Sequence, residues 1–260
     1  MLQHIYAVYF SPTGGTKACA KALADALAKT GGFDGPVEEI DLSADANGYP
    51  AFTEDDIAVI AMPVFGGRIP AYAAEKLLLL NGGRASAVTA AVYGNRAYED
   101  ALLELNDVAE KQGFVLLSST ALLAEHSMVH TVAAGRPDEA DHKMIAGFAD
   151  KIMKKWNSQN RNQAFEVPGN RPYKEWKQMP FVPTASDSCI GCGICAGLCP
   201  TQAIPKNDLK SADPAKCILC MRCTTVCPEH ARALPAQAQA MIGQKLAPCK
   251  EIRRENELYL

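Results

Sequence analysis

Residues 1–156 alternate between short apolar runs and longer segments in which apolar residues recur with a helical period. The short runs predict five strands, at residues 3–10, 37–42, 57–64, 87–93 and 114–124. The longer segments predict helices at residues 16–29, 71–80, 98–112 and 138–156. The third run is almost continuously apolar, which is typical of a strand buried on both faces. The alternation therefore predicts an α/β domain with a doubly wound, five-stranded parallel sheet.

Eight of the ten cysteines form two copies of the pattern C-x2-C-x2-C-x3-C-P, offset by 28 residues. This is the bacterial spacing for two 4Fe–4S clusters, in which the fourth cysteine of each run binds the cluster of the other run. The predicted ligand sets are Cys189, Cys192, Cys195 and Cys227 for one cluster and Cys217, Cys220, Cys223 and Cys199 for the other. A zinc site would need only two spaced C-x2-C pairs, and disulfides would need a secreted context. The spacing therefore favours iron–sulfur clusters.

The rest of the chain divides into three parts. Residues 157–185 are polar and contain four prolines, which predicts a linker. This linker is either a passive tether or, because it carries Tyr173 and Trp176, a segment that packs on the first domain and fixes the distance between cofactors. Residues 186–235 hold both cysteine runs and predict a small α+β domain built around the clusters. Residues 236–260 form a C-terminal tail, whose charged part, residues 253–257, we expect to be a solvated helix end.

Three unusual loops follow the first, third and fourth predicted strands, and ligands bind at the carboxyl ends of the strands in such sheets. The first loop has alternating hydroxyls and two glycines before a helix, which favours a phosphate cradle, although a polar helix cap is the alternative. The other two loops place aromatic residues beside glycines, as a flat ring requires. Together they predict a flavin mononucleotide (FMN) site. Its candidate residues are Ser11, Thr13, Gly14, Gly15 and Thr16 in the first loop, Pro63, Val64, Phe65, Gly66 and Gly67 in the second, and Tyr93, Gly94, Asn95 and Tyr98 in the third.

These motifs carry a family resemblance. The first loop resembles the flavodoxin phosphate loop T/S-x-T-G-x-T, which Ser11, Thr13, Gly14 and Thr16 match, and residues 186–235 resemble two-cluster bacterial ferredoxins. The whole chain is similar to the fused flavodoxin–ferredoxin proteins of anaerobic bacteria. The resemblance implies a flavodoxin-like fold followed by a ferredoxin-like domain, with the FMN phosphate on residues 11–16. It also implies that the isoalloxazine ring lies between the regions of Phe65 and Tyr98.

Other candidate residues carry weaker signals. Cys19 shares a helical stripe with Leu23 and Leu27, which favours a buried core thiol over a redox role. Cys249 has no partner motif. His126 follows the fifth predicted strand at the ligand edge of the sheet, where it is either a capping or interface residue or a proton donor to the flavin or a substrate.

Composition and charge limit the function classes. Residues 1–156 carry 13 lysine and arginine residues against 20 aspartate and glutamate residues, so this acidic part argues against nucleic-acid binding and for docking to a basic redox partner. No apolar run is long enough to span a membrane and no secretory signal begins the chain, so we expect a cytoplasmic protein. Oxygen-sensitive clusters suggest an anaerobic setting. No nicotinamide-binding fingerprint is visible.

The combined prediction is an electron-transfer flavo-iron–sulfur protein that exchanges electrons with a ferredoxin-type donor or acceptor. Whether the chain is itself an enzyme stays open. In the alternative function, FMN reduces a small organic acceptor, such as a quinone, nitro compound or enone, in a pocket roofed by Arg68, Tyr98 and His126. A third possibility is a non-catalytic module whose clusters are structural or sense oxygen.

Overall fold

The computed structural model describes residues 2–44 and 48–260, and its first domain is built on the five predicted strands. These are β1 (Ile5–Tyr9), β2 (Glu38–Asp41), β3 (Ile57–Pro63), β4 (Ser86–Tyr93) and β5 (Val115–Leu123). They pair in parallel in the order β2-β1-β3-β4-β5. This is the flavodoxin-like order of a doubly wound sheet, with its topological switch point between β1 and β3. The predicted α/β fold is confirmed.

Four helices cover the two faces of this sheet. They are α1 (Gly15–Gly31), α2 (Ala71–Leu77), α3 (Ala101–Lys111) and α4 (Glu139–Trp156). Because side chains alternate along a strand, Ile5, Ala7 and Tyr9 of β1 pack with α1 and α4, whereas the intervening positions pack with α2 and α3. Strands β3 and β4 are buried at every position, as expected for central strands covered on both faces. Among the described residues, no helix is both long and apolar enough to cross a membrane.

The cysteine-rich domain has little regular structure of its own. Its elements are β6 (Thr184–Ala185), α5 (Ile194–Gly197), α6 (Arg222–Thr225) and β7 (Arg232–Ala233), and β6 pairs antiparallel with β7. The pairing joins the segment before the first cysteine run to the segment after the second. Buried Arg232 reinforces this closure, because its guanidinium donates to the carbonyl oxygens of Pro183 at 2.7 Å and Ser211 at 3.1 Å.

The expectation of a solvated helix end at residues 253–257 is wrong. Helix α7 (Ala236–Lys250) ends before this segment, and the chain then returns to the first domain as β8 (Glu257–Tyr259). Strand β8 pairs antiparallel with β5 and so adds a sixth strand to the sheet. Asn256 is buried, and its side chain accepts from the amide of Leu123 and donates to Asp141, both at 2.8 Å. The polar tail is therefore an edge of the first domain.

The linker packs on the first domain, as one of the two interpretations expects, and is not a passive tether. The buried carboxylate of Asp100 accepts from the amides of Asn170 at 2.8 Å and Lys174 at 2.6 Å. The guanidinium of Arg68 lies over the ring of Tyr173, with 4.7 Å from Cζ to the ring centroid. These contacts hold the middle of the linker against the loops that follow β3 and precede α3.

Candidate cofactor sites

The eight motif cysteines surround two separate cavities, each with about 370 Å³ of empty space. One cavity is lined by Cys189, Cys192, Cys195 and Cys227, and the other by Cys199, Cys217, Cys220 and Cys223. Each set thus takes three cysteines from one run and the fourth from the other. This is the crossed arrangement that the spacing predicts for two 4Fe–4S clusters.

The two crossed cysteines have matching environments. The sulfur of Cys199 accepts from the amide of Ala203 at 3.2 Å, and the sulfur of Cys227 accepts from the amide of Ala231 at 3.3 Å. Such N–H···S bonds stabilise thiolate charge and raise cluster potential. Burial raises the pKa of the Cys220 thiol to about 12 and that of Cys223 to about 12. These thiols would ionise only when positively charged iron binds.

The thiol geometry fits a cluster better than a single ion. Within residues 2–44 and 48–260, no group of three or more histidine, cysteine or acidic side chains is close enough to hold one metal ion. A cubane instead carries its four thiolates on four different irons, so it requires them around a cavity. Each thiol set meets that requirement.

A third cavity, which we call the flavin cavity, lies at the carboxyl ends of β1, β3 and β4 and has about 470 Å³ of empty space. Eight of the candidate flavin residues line it: Thr13, Gly15, Thr16, Pro63, Val64, Phe65, Tyr93 and Gly94. Residues 124–127, after β5, close another side. The switch-point loops are therefore brought together, as ligand binding by this fold requires.

The phosphate loop has the geometry of an anion site. Gly14 precedes α1 with φ of +94°, a conformation that favours glycine. A Cβ on Gly15 would approach Cβ of Ala124 to 3.0 Å, so the loop is pressed against the end of β5. The hydroxyl of Ser11 accepts from the amide of Lys17 at 2.8 Å and so caps the helix without lining the cavity. The Lys17 ammonium pairs with Glu39 at 2.7 Å. An anion in this loop would therefore be bound by backbone amides and hydroxyls and not by Lys17.

The side chains of two candidates from the third loop bind the C-terminal segment and do not face this cavity. The amide nitrogen of buried Asn95 donates to the carbonyl oxygens of Cys249 at 2.7 Å and Ile252 at 2.6 Å. The hydroxyl of Tyr98 lies 2.7 Å from that of Tyr259. Neither Asn95 nor Tyr98 lines the flavin cavity. Both side chains are committed to the C-terminal segment, and the expected ring position beside Tyr98 is not supported.

The second loop also differs from expectation. Gly66 does not line the flavin cavity but lies against Trp176, because a Cβ at Gly66 would be 3.3 Å from the Trp176 ring. A Cβ on Gly67 would overlap the carboxylate of Glu99, so Gly67 permits close packing of two loops. Arg68, expected in the roof of a substrate pocket, is bound to Glu104 through Nε at 2.6 Å. Of the three expected roof residues, only His126 faces the cavity.

His126 is a half-buried, neutral imidazole. Its Nδ1 lies 3.2 Å from the amide nitrogen of Met128 and 3.3 Å from that of Val129, and both amides donate to it. Nδ1 is therefore unprotonated and the ring proton is on Nε2. Burial, followed by the charges of His130 and Arg96, lowers the pKa of His126 to about 4. His126 can therefore donate a hydrogen bond as a neutral group but does not carry a positive charge near neutral pH.

The other two cysteines are outside the cluster sets. Cys19 is fully buried, which raises the pKa of its thiol to about 12 and confirms the core interpretation. Cys249 is half-buried and packs against the apolar cluster that includes Ile242 and Leu246 of the same helix.

Sequence reasoning missed two features of the site. Cys220 lines the flavin cavity as well as its own cluster cavity. Trp176 and Lys245 line a further cavity next to the flavin cavity. The recurrence of Ala238, Ile242 and Leu246 at helical spacing was a signal that α7 has a buried face. The pattern does not indicate which domain this face of α7 packs against.

Comparison with known proteins supports the two-part organisation. Residues 188–231 match the family model of the 4Fe–4S dicluster domain. A sulfite dehydrogenase subunit from Allochromatium vinosum is 38% identical over 87 residues, which cover 32% of this chain and 33% of that protein. The chain thus spans about a third of the length of this curated relative.

Similar solved structures cover the first domain. A flavodoxin from the domain Archaea has 15% identity and a TM-score of 0.43, covering 60% of this chain and 100% of that one. The Streptococcus pneumonia TIGR4 flavodoxin has 20% identity and a TM-score of 0.41, covering 59% and 99%. The strand order described above, rather than these scores, identifies the fold. The chain therefore joins a domain with the flavodoxin-like strand order to a segment that matches the 4Fe–4S dicluster domain, an organisation consistent with a fused flavodoxin–ferredoxin protein.

Proposed function

We propose that the chain is a flavo-iron–sulfur protein that passes electrons between two 4Fe–4S clusters and FMN. The crossed thiol sets would hold the clusters, and the flavin cavity would hold FMN with its phosphate at Thr13, Gly15 and Thr16. When bound, each cluster supplies one-electron transfer, and FMN supplies one- or two-electron transfer. A fused arrangement replaces diffusional encounter with a fixed, high effective concentration.

The position of Cys220 carries this proposal. Its side chain lines the flavin cavity and also belongs to the set Cys199, Cys217, Cys220 and Cys223. A cluster bound by this set would be adjacent to the flavin, so we call it the proximal set. The other set is the distal set. The chain therefore offers an electron route from the distal set to the proximal set and then to the flavin.

The surroundings of the distal set suit contact with a redox partner. Cys192 is exposed, and so are the apolar side chains of Ile190, Ile194 and Leu198 in the same run. Exposed apolar groups close together are typical of interaction surfaces. A ferredoxin-type donor or acceptor would dock here, with Cys192 at the contact.

Rapid mixing of the anaerobic, fully loaded protein with a low-potential donor tests this route. Visible absorbance should show cluster reduction first and flavin reduction second. The second step should have a rate that is independent of protein concentration, because it is intramolecular. A rate that rises with protein concentration would contradict the proposal, as would a flavin that stays oxidised beside reduced clusters. The second of these results would favour a structural or oxygen-sensing role for the clusters.

The docked linker should matter for the same step. Deleting residues 168–177 would remove the hydrogen bond from Lys174 to Asp100 and the contact of the Tyr173 ring with Arg68. Because these contacts fix the linker on the first domain, we expect slower flavin reduction with unchanged cluster absorbance. Unchanged rates would show that the linker does not set the distance between cofactors.

A second candidate function is an FMN-dependent reductase of a small organic acceptor, fed with electrons through the clusters. It is favoured by a cavity with about 910 Å³ of empty space beside the flavin cavity. Anaerobic potentiometric titration discriminates between the candidates. Two separated one-electron flavin steps near the cluster potentials would support the carrier, and one two-electron step well above them would support the reductase.

A further inference from the structure

The cavity beside the flavin cavity lies between the two domains, and we call it the interdomain cavity. Val64, Phe65, His126 and Ser127 line both cavities, so the two spaces share a wall. Its empty space of about 910 Å³ includes open solvent, so it is a cleft that opens to the surface and is larger than the flavin cavity.

The remaining wall comes from segments that are distant in sequence. The linker contributes Trp176 and Met179, the second cysteine run contributes Ile218 and Leu219, and α7 contributes its buried face. Helix α7 presents Ile242 and Leu246 there. Most of this surface is apolar or aromatic, so it favours a ligand with an apolar, flat body.

The charged groups of this wall are all basic. Arg96, Lys177 and Lys245 line the cavity, and none of the described lining residues is acidic. Arg96 pairs with Glu99 at 2.8 Å, whereas Lys245 has no acidic partner within 4 Å in the described part of the chain. A cavity with one sign of charge raises the local concentration of ligands of the opposite sign. The balance favours an anion.

His126 adds a neutral donor at the shared wall. Because Met128 and Val129 donate their amides to Nδ1, the Nε2–H group is the polar group that this ring can offer. A ligand oxygen could accept from it without the cost of burying another charge. A ligand with an anionic oxygen, or with a carbonyl conjugated to one, could both accept from His126 and pair with the basic side chains of the wall.

We propose that the interdomain cavity binds a small organic carboxylate with an aromatic or unsaturated body, beside the flavin. This inference rests on the second candidate function, for which it names the acceptor class. Lys245 supplies unpaired positive charge, and Trp176 and the apolar residues of α7 contact the body of the ligand.

Calorimetric titration of the fully loaded, oxidised protein with 2-naphthoate tests the site without any turnover. The matched neutral ligand is 2-naphthamide, which has a similar shape and no charge. Lys245→Glu is the test variant, and Lys250→Glu is its control, because Lys250 lies on the same helix but does not line the cavity. Reversal of one partly solvated charge should weaken naphthoate binding about tenfold.

We expect one naphthoate per chain, with at least tenfold preference over the amide. Lys245→Glu should weaken the binding of 2-naphthoate but not that of 2-naphthamide. Lys250→Glu should change the affinity for 2-naphthoate less than about twofold. Absence of binding, equal affinity for acid and amide, or equal effects of the two variants would each overturn the proposal. Electron transfer from clusters to flavin, measured in the same samples without the ligand, reports separately on the proposed function.

Discussion

Substitution of Asn256 by alanine measures how strongly the C-terminal segment is bound to the first domain. The residue precedes β8, is buried and makes two hydrogen bonds to the first domain, one to β5 and one to α4. One is accepted from the amide of Leu123 and the other is donated to the carboxylate of Asp141, each at 2.8 Å. Alanine retains neither bond.

The expected cost follows from the two partners. The Leu123 amide would be left buried without an acceptor, which costs about 1–3 kcal/mol. The fully buried Asp141 carboxylate would lose one donor but keep Arg136 and the amide of Asp138, so we assign it about 1 kcal/mol. The sum is about 3 kcal/mol. For a chain of this size that corresponds to a fall in Tm of about 6–12 °C.

Thermal unfolding of the loaded protein, followed by circular dichroism, gives the Tm. Hydrogen exchange of peptides from β5 adds a local measure, because release of β8 would expose amides at that edge. Glu255→Ala is the matched control: its carboxylate is exposed and lies 3.5 Å from Nε of Arg253. Loss of such a surface pair should cost less than about 0.5 kcal/mol.

Equal Tm values for Asn256→Ala and Glu255→Ala would refute the reasoning. That result would mean that the segment is solvated, as its charged sequence first indicated. Faster exchange in β5 for Asn256→Ala alone would support the two-bond account even if the Tm changed by less than expected.

Three further predictions concern the site. With a pKa of about 4 in the folded state, His126 takes up its proton more readily when unfolded, so its contribution to stability is lost as pH falls from about 6.5 towards 4. Between about pH 7.5 and 5.5 this costs about 1 kcal/mol, and His126→Gln should flatten the pH dependence of Tm by that amount; parallel curves would contradict it. Gly94→Ala would place a Cβ 2.6 Å from Cδ2 of His126, so it should lower the free energy of unfolding by about 1–3 kcal/mol. It should also weaken FMN binding in fluorescence titrations. Gly147→Ala, which has open space around it, should change neither stability nor binding. Asp100→Ala should release residues 157–185, seen as faster limited proteolysis there and slower flavin reduction, and unchanged cleavage would show that Asp100 does not hold the linker.

The elements that sequence predicted well are those whose causes are local. Strand runs such as residues 57–64 reflect burial on both faces, and the cysteine spacing reflects ligands that converge from one tight turn. The crossed sets follow from the same spacing, and each set does line one cavity. The phosphate loop belongs to this group as well, because a strand, a glycine turn and a helix start within a few residues of one another.

Partners that are distant in sequence could not be predicted in this way. Asn95 and Tyr98 have the right types and the right loop for a flavin site, yet Asn95 binds carbonyl groups more than 150 residues further along the chain. Arg68 was expected over a ligand and instead pairs with Glu104. A loop pattern records that polar and aromatic groups lie at the sheet edge, but not which of them another segment occupies.

The sequence by itself determined the parallel sheet, the glycine turn before α1 and the grouping of eight thiols into two sets, because each depends on spacing within a short stretch of chain. Only the tertiary structure decided that the tail completes the sheet, that Cys220 reaches the flavin cavity and that Trp176 and Lys245 face a shared space. These features depend on how the two domains dock. Docking is set by the sum of many weak contacts between distant surfaces, and no single motif encodes that sum.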